Sequence, residues 1–328
     1  MSINKAALRI AAVVALAGLS AAQGAFAQKL DKVKIVIFGA PSLGAFLPPI
    51  IKAEKFDTKN GVDITFEDRT PDAYTTEFNS GEFQVGGSAA VLTVGLADLR
   101  GVKATYLFNL FDYWGGIVTN RPNVKTLKDL QGKTIAAASG TTNYIMFEWF
   151  ARQQGLDVSK AKVVNTATPG LVGYALADRA AAVQLWEPAY TSVITKKPSE
   201  RTLGLDIKAS WRKFAGSNNI PYLGVAAHTD WAKKHKEMIP KIYAAYKDAA
   251  QWIVAHPGGA AKLISPKGSA DDQKAIAQLI RSNGRLGLNM AWASKLSKEI
   301  KSVYAAGKSI GYLPSDPSDA TIYSGPTK

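Results

Sequence analysis

Thr134-Ile135-Ala136-Ala137, then Ser139-Gly140-Thr141-Thr142, then Asn143 to Gln154 read as a strand, a turn and a helix in direct succession. The apolar run is too short for a helix and ends at small, hydroxyl-bearing residues. The segment after it carries apolar residues at helical spacing. Downstream, Lys162 to Asn165 reads as the next strand, and Thr168-Pro169 starts a helix with proline in its first turn. Ala181 to Leu185 then reads as a short strand running into Trp186-Glu187-Pro188 and a further helix. Strands alternating with helices in this way predict parallel pairing in an α/β sheet.

The same order stands upstream at an offset of 98 residues. Val33 to Phe38 is β-branched and alternating, and the turn Gly39 to Gly44 leads into a helical segment reaching about Lys55. Asn60-Gly61 separates that segment from a strand over Val62 to Glu67. Thr70-Pro71 is an N-cap followed by proline at the first helical position. A strand near Phe83 to Val85 is expected to enter a turn at Gly86-Gly87-Ser88, followed by a helix to about Arg100. With that offset Ser42 falls on Gly140, Pro71 on Pro169 and Ser88 on Trp186. Three coincident landmarks, without strong residue identity, point to a duplicated βαβ architecture.

Beyond Lys196 the pattern is less regular. Tyr222 to Ala227 reads as a strand, and Ile239, Ile242, Tyr243, Tyr246, Ala250 and Ile253 form a helical stripe that His256-Pro257-Gly258 stops. Helices are expected over about Asp271 to Arg281 and Met290 to Ala306, and an extended tail from Leu313.

Composition sets the outer limits. The 328 residues are 47% hydrophobic and 20% charged, the balance of a globular chain. No cysteine is present, which excludes disulfides, thiolate metal sites, thiol nucleophiles and lipidated cysteine. Three histidines, His228, His235 and His256, make a histidine metal centre improbable, and no G-x-S-x-G elbow is present. The expectation is a protein that is not an enzyme, with no cofactor, no metal and no catalytic residue.

The formal charge of +14 is scattered, with neither a basic arm nor an aromatic-basic ladder, so nucleic acid is not an expected partner. Residues 1–27 read as a cleaved secretory signal. Lys5 and Arg9 precede the apolar run Ile10 to Ala22, and Ala25-Phe26-Ala27 is a small-x-small cleavage pattern that leaves Gln28 as the mature N-terminus. The run is shorter than the roughly 20 residues that span a bilayer. A monomeric, exported chain in the periplasm is expected.

In open α/β sheets ligands bind at the carboxyl ends of strands, in the loops that lead into helices. Four loops qualify, and they contribute Ser42; Gly87 and Ser88; Ser139, Thr141 and Thr142; and Trp186 and Glu187. The Ser139 to Thr142 loop opens a helix, where free N–H groups and the helix dipole favour an anion. Its hydroxyls equally suit helix capping, and the two roles are compatible. Glu187 has two readings, a ligand contact for a zwitterion or a partner of the following helix start. Phe108, Phe111, Tyr113 and Trp114 serve the cleft or the core. Tyr74, Tyr144 and Glu148 are second-rank contacts.

These pieces carry a resemblance. Gly39 to Gly44, Phe83-Gln84-Val85-Gly86-Gly87-Ser88-Ala89-Ala90, Leu127-Lys128-Asp129-Leu130-Gln131-Gly132-Lys133, Ser139 to Thr142 and Trp186-Glu187-Pro188 resemble, in order and spacing, periplasmic solute-binding proteins of ABC importers in the nitrate/sulfonate/taurine branch. The resemblance covers essentially the whole mature chain. It implies the two-lobed periplasmic-binding-protein fold, type II-like. Each lobe would be a mostly parallel sheet flanked by helices, and two crossing hinge strands would join the lobes. The crossings would fall near Phe111 to Gly116 and Asn218 to Tyr222, with 28–112 and 221–328 as lobe I and 113–220 as lobe II. Strands at Gly116 to Thr119 and Leu223 to Ala227 would run antiparallel. The implied function is capture of a small anion (sulfonate, nitrate or organic carboxylate) or a zwitterion, by hinge closure, for an inner-membrane ABC permease. A membrane sensor as the partner, or a periplasmic enzyme of the same fold, are the alternatives.

Overall fold

The computed structural model describes residues 30–282 and 284–325. The signal segment 1–27 and Gln28 lie outside them. Among the described residues the strands are β1 (Asp31–Phe38), β2 (Val62–Arg69), β3 (Val85–Ala90), β4 (Ala104–Asp112), β5 (Gly116–Thr119), β6 (Thr134–Ala137), β7 (Lys162–Asn165), β8 (Ala182–Leu185), β9 (Arg201–Leu203), β10 (Pro221–His228) and β11 (Leu288–Trp292). The α-helices begin with α1 (Leu47–Ala53), α2 (Phe56–Lys59), α3 (Pro71–Ser80), α4 (Val91–Leu99), α5 (Thr142–Gln153), α6 (Thr168–Leu176) and α7 (Ala189–Lys196). They continue with α8 (Ile207–Ala215), α9 (Thr229–Lys234), α10 (Met238–Ala255), α11 (Pro257–Ile264), α12 (Ala270–Arg281) and α13 (Ser297–Ser309).

Two sheets result. The six-stranded sheet has the order β11-β4-β10-β3-β1-β2, and the five-stranded sheet the order β7-β6-β8-β5-β9. β1 pairs parallel with β2 and β3, and β6 pairs parallel with β7 and β8. β5 in the five-stranded sheet, and β10 and β11 in the six-stranded one, run antiparallel to their neighbours. The chain leaves the first sheet at Asp112, enters the second at Gly116 and returns at Pro221. At the crossing the two segments touch, with the Tyr113 N–H donating to the Ile220 carbonyl at 2.7 Å. The fold is a mixed α/β one of two mostly parallel sheets flanked by helices.

Local signals account for much of this. Thr70 accepts the Ala73 N–H, Pro71 opens α3, and Gly81 ends it in the left-handed region at φ 84°. The stripe read on α10 buries Ile239, Ile242, Tyr246 and Ile253. They pack with Ile35, Ile37, Phe108 and Phe111 on one face of the six-stranded sheet. Each such side chain contributes roughly 1.5–3 kcal/mol on burial. A second cluster runs across the crossing, joining Val36, Tyr106 and Ile300 to Ile117, Phe150 and Trp211. A third covers the other face of the five-stranded sheet, with Leu171, Leu185, Tyr190 and Val193.

The structure corrects several element readings. Gly86-Gly87-Ser88 is not a turn but the middle of β3, buried along its whole length. A Cβ on Gly86 would strike the Tyr74 hydroxyl, and one on Gly87 would lie 2.7 Å from the Tyr246 hydroxyl and 2.9 Å from Ile35 and Ile37. Small residues there let two tyrosines press on the strand, and a run of glycine and alanine hides its strand character. Met290 lies in β11, and the helix begins only at Ser297. Pro257 starts α11 as well as ending α10. β4 shows no alternation because eight of its nine residues are buried, as befits a strand covered on both faces.

Candidate functional site

The clearest open helix start belongs to α5. Thr141 caps it, its oxygen accepting the Tyr144 N–H at 3.2 Å while its hydroxyl donates to the Ala138 carbonyl at 2.8 Å. The first N–H groups of a helix have no intrahelical acceptor, so those of Thr142 and Asn143 stand at the positive end of the helix dipole without one. Ser139 is half-buried and is tied by its own N–H to Asn165 Oδ1 at 3.0 Å. Gly140 is exposed, and a Cβ there would meet no atom within 4 Å among the described residues.

A polar cluster lies behind that helix start. Asn143 is buried, donates to the Trp114 carbonyl at 3.4 Å and accepts from Gln184 Nε2 at 2.9 Å. Tyr222, on the strand returning from the crossing, brings its phenol beside Thr142 and Asn143. Burial raises the Tyr222 phenol above its ordinary pKa, and the polar side chains of Thr142 and Asn143 act in the other direction. Tyr113 stacks on Phe150 at 5.4 Å and meets Tyr222 edge-on at 5.7 Å. Its hydroxyl and Gln184 Oε1 are buried and have no hydrogen-bond partner among the described residues. Neutral donors around a helix N-terminus can bind an anion without a cation.

The other expected residues are placed differently. Ser42 caps a single 3₁₀ turn, accepting the Gly44 N–H at 3.1 Å. Ser88 is fully buried and accepts the Phe38 N–H at 2.9 Å, which ties the end of β1 to β3. Gly87 faces the core. Trp186 is half-buried beside the Leu171–Tyr190 cluster.

Glu187 is buried, with both carboxylate oxygens engaged. Oε2 accepts the Thr191 N–H at 3.0 Å and Oε1 the Thr191 hydroxyl at 2.8 Å, an arrangement that serves the start of α7. Arg285 Nε lies 3.4 Å from Oε1, reaching over from the segment before β11. Burial pushes the Glu187 carboxyl up to about 7, while the Thr191 hydrogen bonds and the Arg285 charge act in the other direction.

Phe108 and Phe111 are core residues, and Tyr74 is buried against Phe38 and Phe78. Tyr144 is buried, and Glu148 pairs with Arg152 at 2.7 Å on the helix surface. Each histidine has a backbone carbonyl partner, at Phe78, Trp231 and Trp252. Asn143, Gln184, Tyr222 and Arg285 are the residues that sequence reasoning missed. Asn143 stands one position beyond the turn and was legible there as a second helix residue, whereas the other three come from distant strands and loops.

Comparison with known proteins places this geometry. No curated protein is similar enough in sequence to match the chain. Among solved structures, the alkanesulfonate-binding protein SsuA from Xanthomonas axonopodis pv. citri bound to MOPS superposes with a TM-score of 0.71 at 14% identity, covering 89% of this chain and 98% of that one. The periplasmic aliphatic sulphonate binding protein SsuA from Escherichia coli gives 0.68 at 16% identity, covering 88% and 95%. The periplasmic nitrate-binding protein NrtA from Synechocystis PCC 6803 gives 0.66 at 12% identity, covering 89% and 84%. At these identities the likeness establishes the two-lobed periplasmic-binding-protein fold. The family described as NMT1/THI5 like matches residues 52–260, well over half of the sequence, and the chain therefore belongs to the NMT1/THI5-like family.

Proposed function

We propose that the chain is a periplasmic solute-binding protein that captures a small anion between two lobes and delivers it to an ABC importer. Lobe I comprises 28–112 and 221–328, each side of lobe II at 113–220, and the crossings near Phe111–Gly116 and Asn218–Tyr222 are the hinge. The observation that carries the reading is the α5 start, an open N-terminus of one sheet's helix met by Tyr222 from the other sheet. An anion there gains the helix dipole and N–H groups of one lobe and a phenol of the other, so binding favours closure. The sulfonate- and nitrate-binding proteins of the same fold support the ligand class. The signal-like residues 1–27 support export. The role is binding and not catalysis, and the hydrogen-bonded, structural placement of all three histidines supports it.

The test is thermal unfolding of the mature protein with methanesulfonate, nitrate, taurine or acetate, and with neutral and cationic solutes as controls. Ligand at about a hundred times its Kd adds roughly 2.7 kcal/mol of stability. An anion or the zwitterion is expected to raise Tm, and Gly140→Trp, which fills the open space, to abolish the rise. Stabilisation by neutral or cationic solutes alone would overturn the ligand class, and turnover of any solute would overturn the binding role.

A further inference from the structure

A second space lies beside the crossing strands. It measures about 890 Å³ and is bounded by Asp112–Gly116 and Asn218–Ile220 of the crossing, by the segment from Thr202 to Ala209, and by the chain entering β11. None of Ser42, Gly87, Ser88, Ser139, Thr141, Thr142, Trp186 or Glu187 lines it. Its size is that of pockets that hold small organic ligands.

The chemistry of its walls is specific. Trp114, Ile207 and Leu288 supply apolar surface, and Lys208 and Arg285 supply two cations. Among the described residues the Lys208 ammonium has no ion-pair or hydrogen-bond partner. Arg285 Nε is buried without a directed hydrogen bond, and its guanidinium sits 5.6 Å over the Tyr190 ring. Its Nε pairs in charge with Glu187 Oε1 at 3.4 Å, and the terminal guanidinium nitrogens keep donors to offer. Asp112 also lines the space, but neutral donors engage it: the Asn109 amide at 3.1 Å and the Asn289 amide at 3.0 Å. Asp112 and the exposed Asp206 limit how much negative charge an occupant can carry.

We propose that this hinge-side cavity is a second binding site, separate from the α5 start, for a small organic monoanion with an apolar or aromatic body. Arg285 and Lys208 hold the anionic group, and Trp114 receives the body by its ring face or edge. Arg285 belongs to the segment that feeds the six-stranded sheet, and Lys208 and the end of β9 to the half built on the five-stranded sheet. An occupant therefore bridges the two halves and favours the arrangement in which these groups converge.

The test is calorimetric titration of the mature chain with 1-naphthalenesulfonate. Wild type is expected to bind, and Arg285→Gln and Lys208→Gln are each expected to weaken binding about tenfold or more. Gly140→Trp, which blocks the α5 start, leaves this binding event in place. If Arg285→Gln fails to fold, Lys208→Gln decides alone, because its side chain is exposed and unpaired. Absence of binding to wild type, binding indifferent to Lys208→Gln, or binding lost only in Gly140→Trp would each overturn the proposal.

Discussion

The two halves of the molecule repeat one construction and finish it differently. At the 98-residue offset, β7 falls on Ile64–Glu67 within β2, α6 on Thr70–Phe78 against α3, and α7 on Val91–Asp98 within α4. Their loops are not equivalent. In the six-stranded half Ser88 lies under Gly44 and accepts the Phe38 N–H, so that end is closed by its own hydroxyl. In the five-stranded half the corresponding turn keeps Gly140 exposed to open space and presents the first N–H groups of α5. A shared topology thus supplies two candidate sites, and side-chain detail leaves one of them open.

Substitution can break that contrast. A Cβ on Gly44 collides with Ser88 Oγ, a buried and engaged atom, so Gly44→Ala is expected to destabilise by roughly 1–3 kcal/mol. Gly140→Ala meets nothing and should stay within about 0.5 kcal/mol of wild type. Paired chemical denaturation measures both, and equal losses would erase the asymmetry.

Glu187 gives the next effect, with pH as the variable. Its counterpart at the offset in the other half is Ala89, buried and uncharged, so the carboxylate is particular to one half. The folded pKa of about 7 stands above the ordinary 4.5, so the folded state holds the proton more tightly. Stability from this group is present below about pH 4.5 and is lost as pH rises through about 7. Against Glu187→Gln, wild type should lose on the order of 3 kcal/mol across that window. Identical pH profiles for the two proteins would show that burial does not control this carboxyl.

The smallest expected effect compares the two capping hydroxyls. Thr141→Ala removes the cap of a 12-residue helix and should cost about 1 kcal/mol. Ser42→Ala removes a cap from one 3₁₀ turn and should cost about 0.5 kcal/mol, the low end for a lost cap. Thermal unfolding of both variants orders them, and a reversed order would mean that the loop after β1 is the more stringently built.

How far the sequence foretold this depends on which residues carried the signal. Strands with β-branched runs, such as Val33 to Phe38, and helix starts with a hydroxyl and proline, such as Thr70-Pro71, are written locally. β3 is not, because Val-Gly-Gly-Ser-Ala-Ala has turn composition, and its strand state comes from Tyr74 and Tyr246 packing on it. At the candidate site the turn from Ser139 to Thr142 was visible because capping chemistry is local. Gln184, Tyr222 and Arg285 were not, since they reach their places through sheet pairing and a crossing with no local signature.

The position of β10 has a consequence for the order in which the chain assembles. It lies between β3 and β4, so neither can complete its pairing until residues 221–228 are available. The five-stranded sheet uses only residues 116–203 and waits for nothing downstream. Closing the larger sheet requires joining segments separated by more than a hundred residues, which is the slow kind of contact to form. A chain emerging N-terminus first therefore builds its middle before its beginning, and its first four strands stay short of a native sheet until the last third arrives.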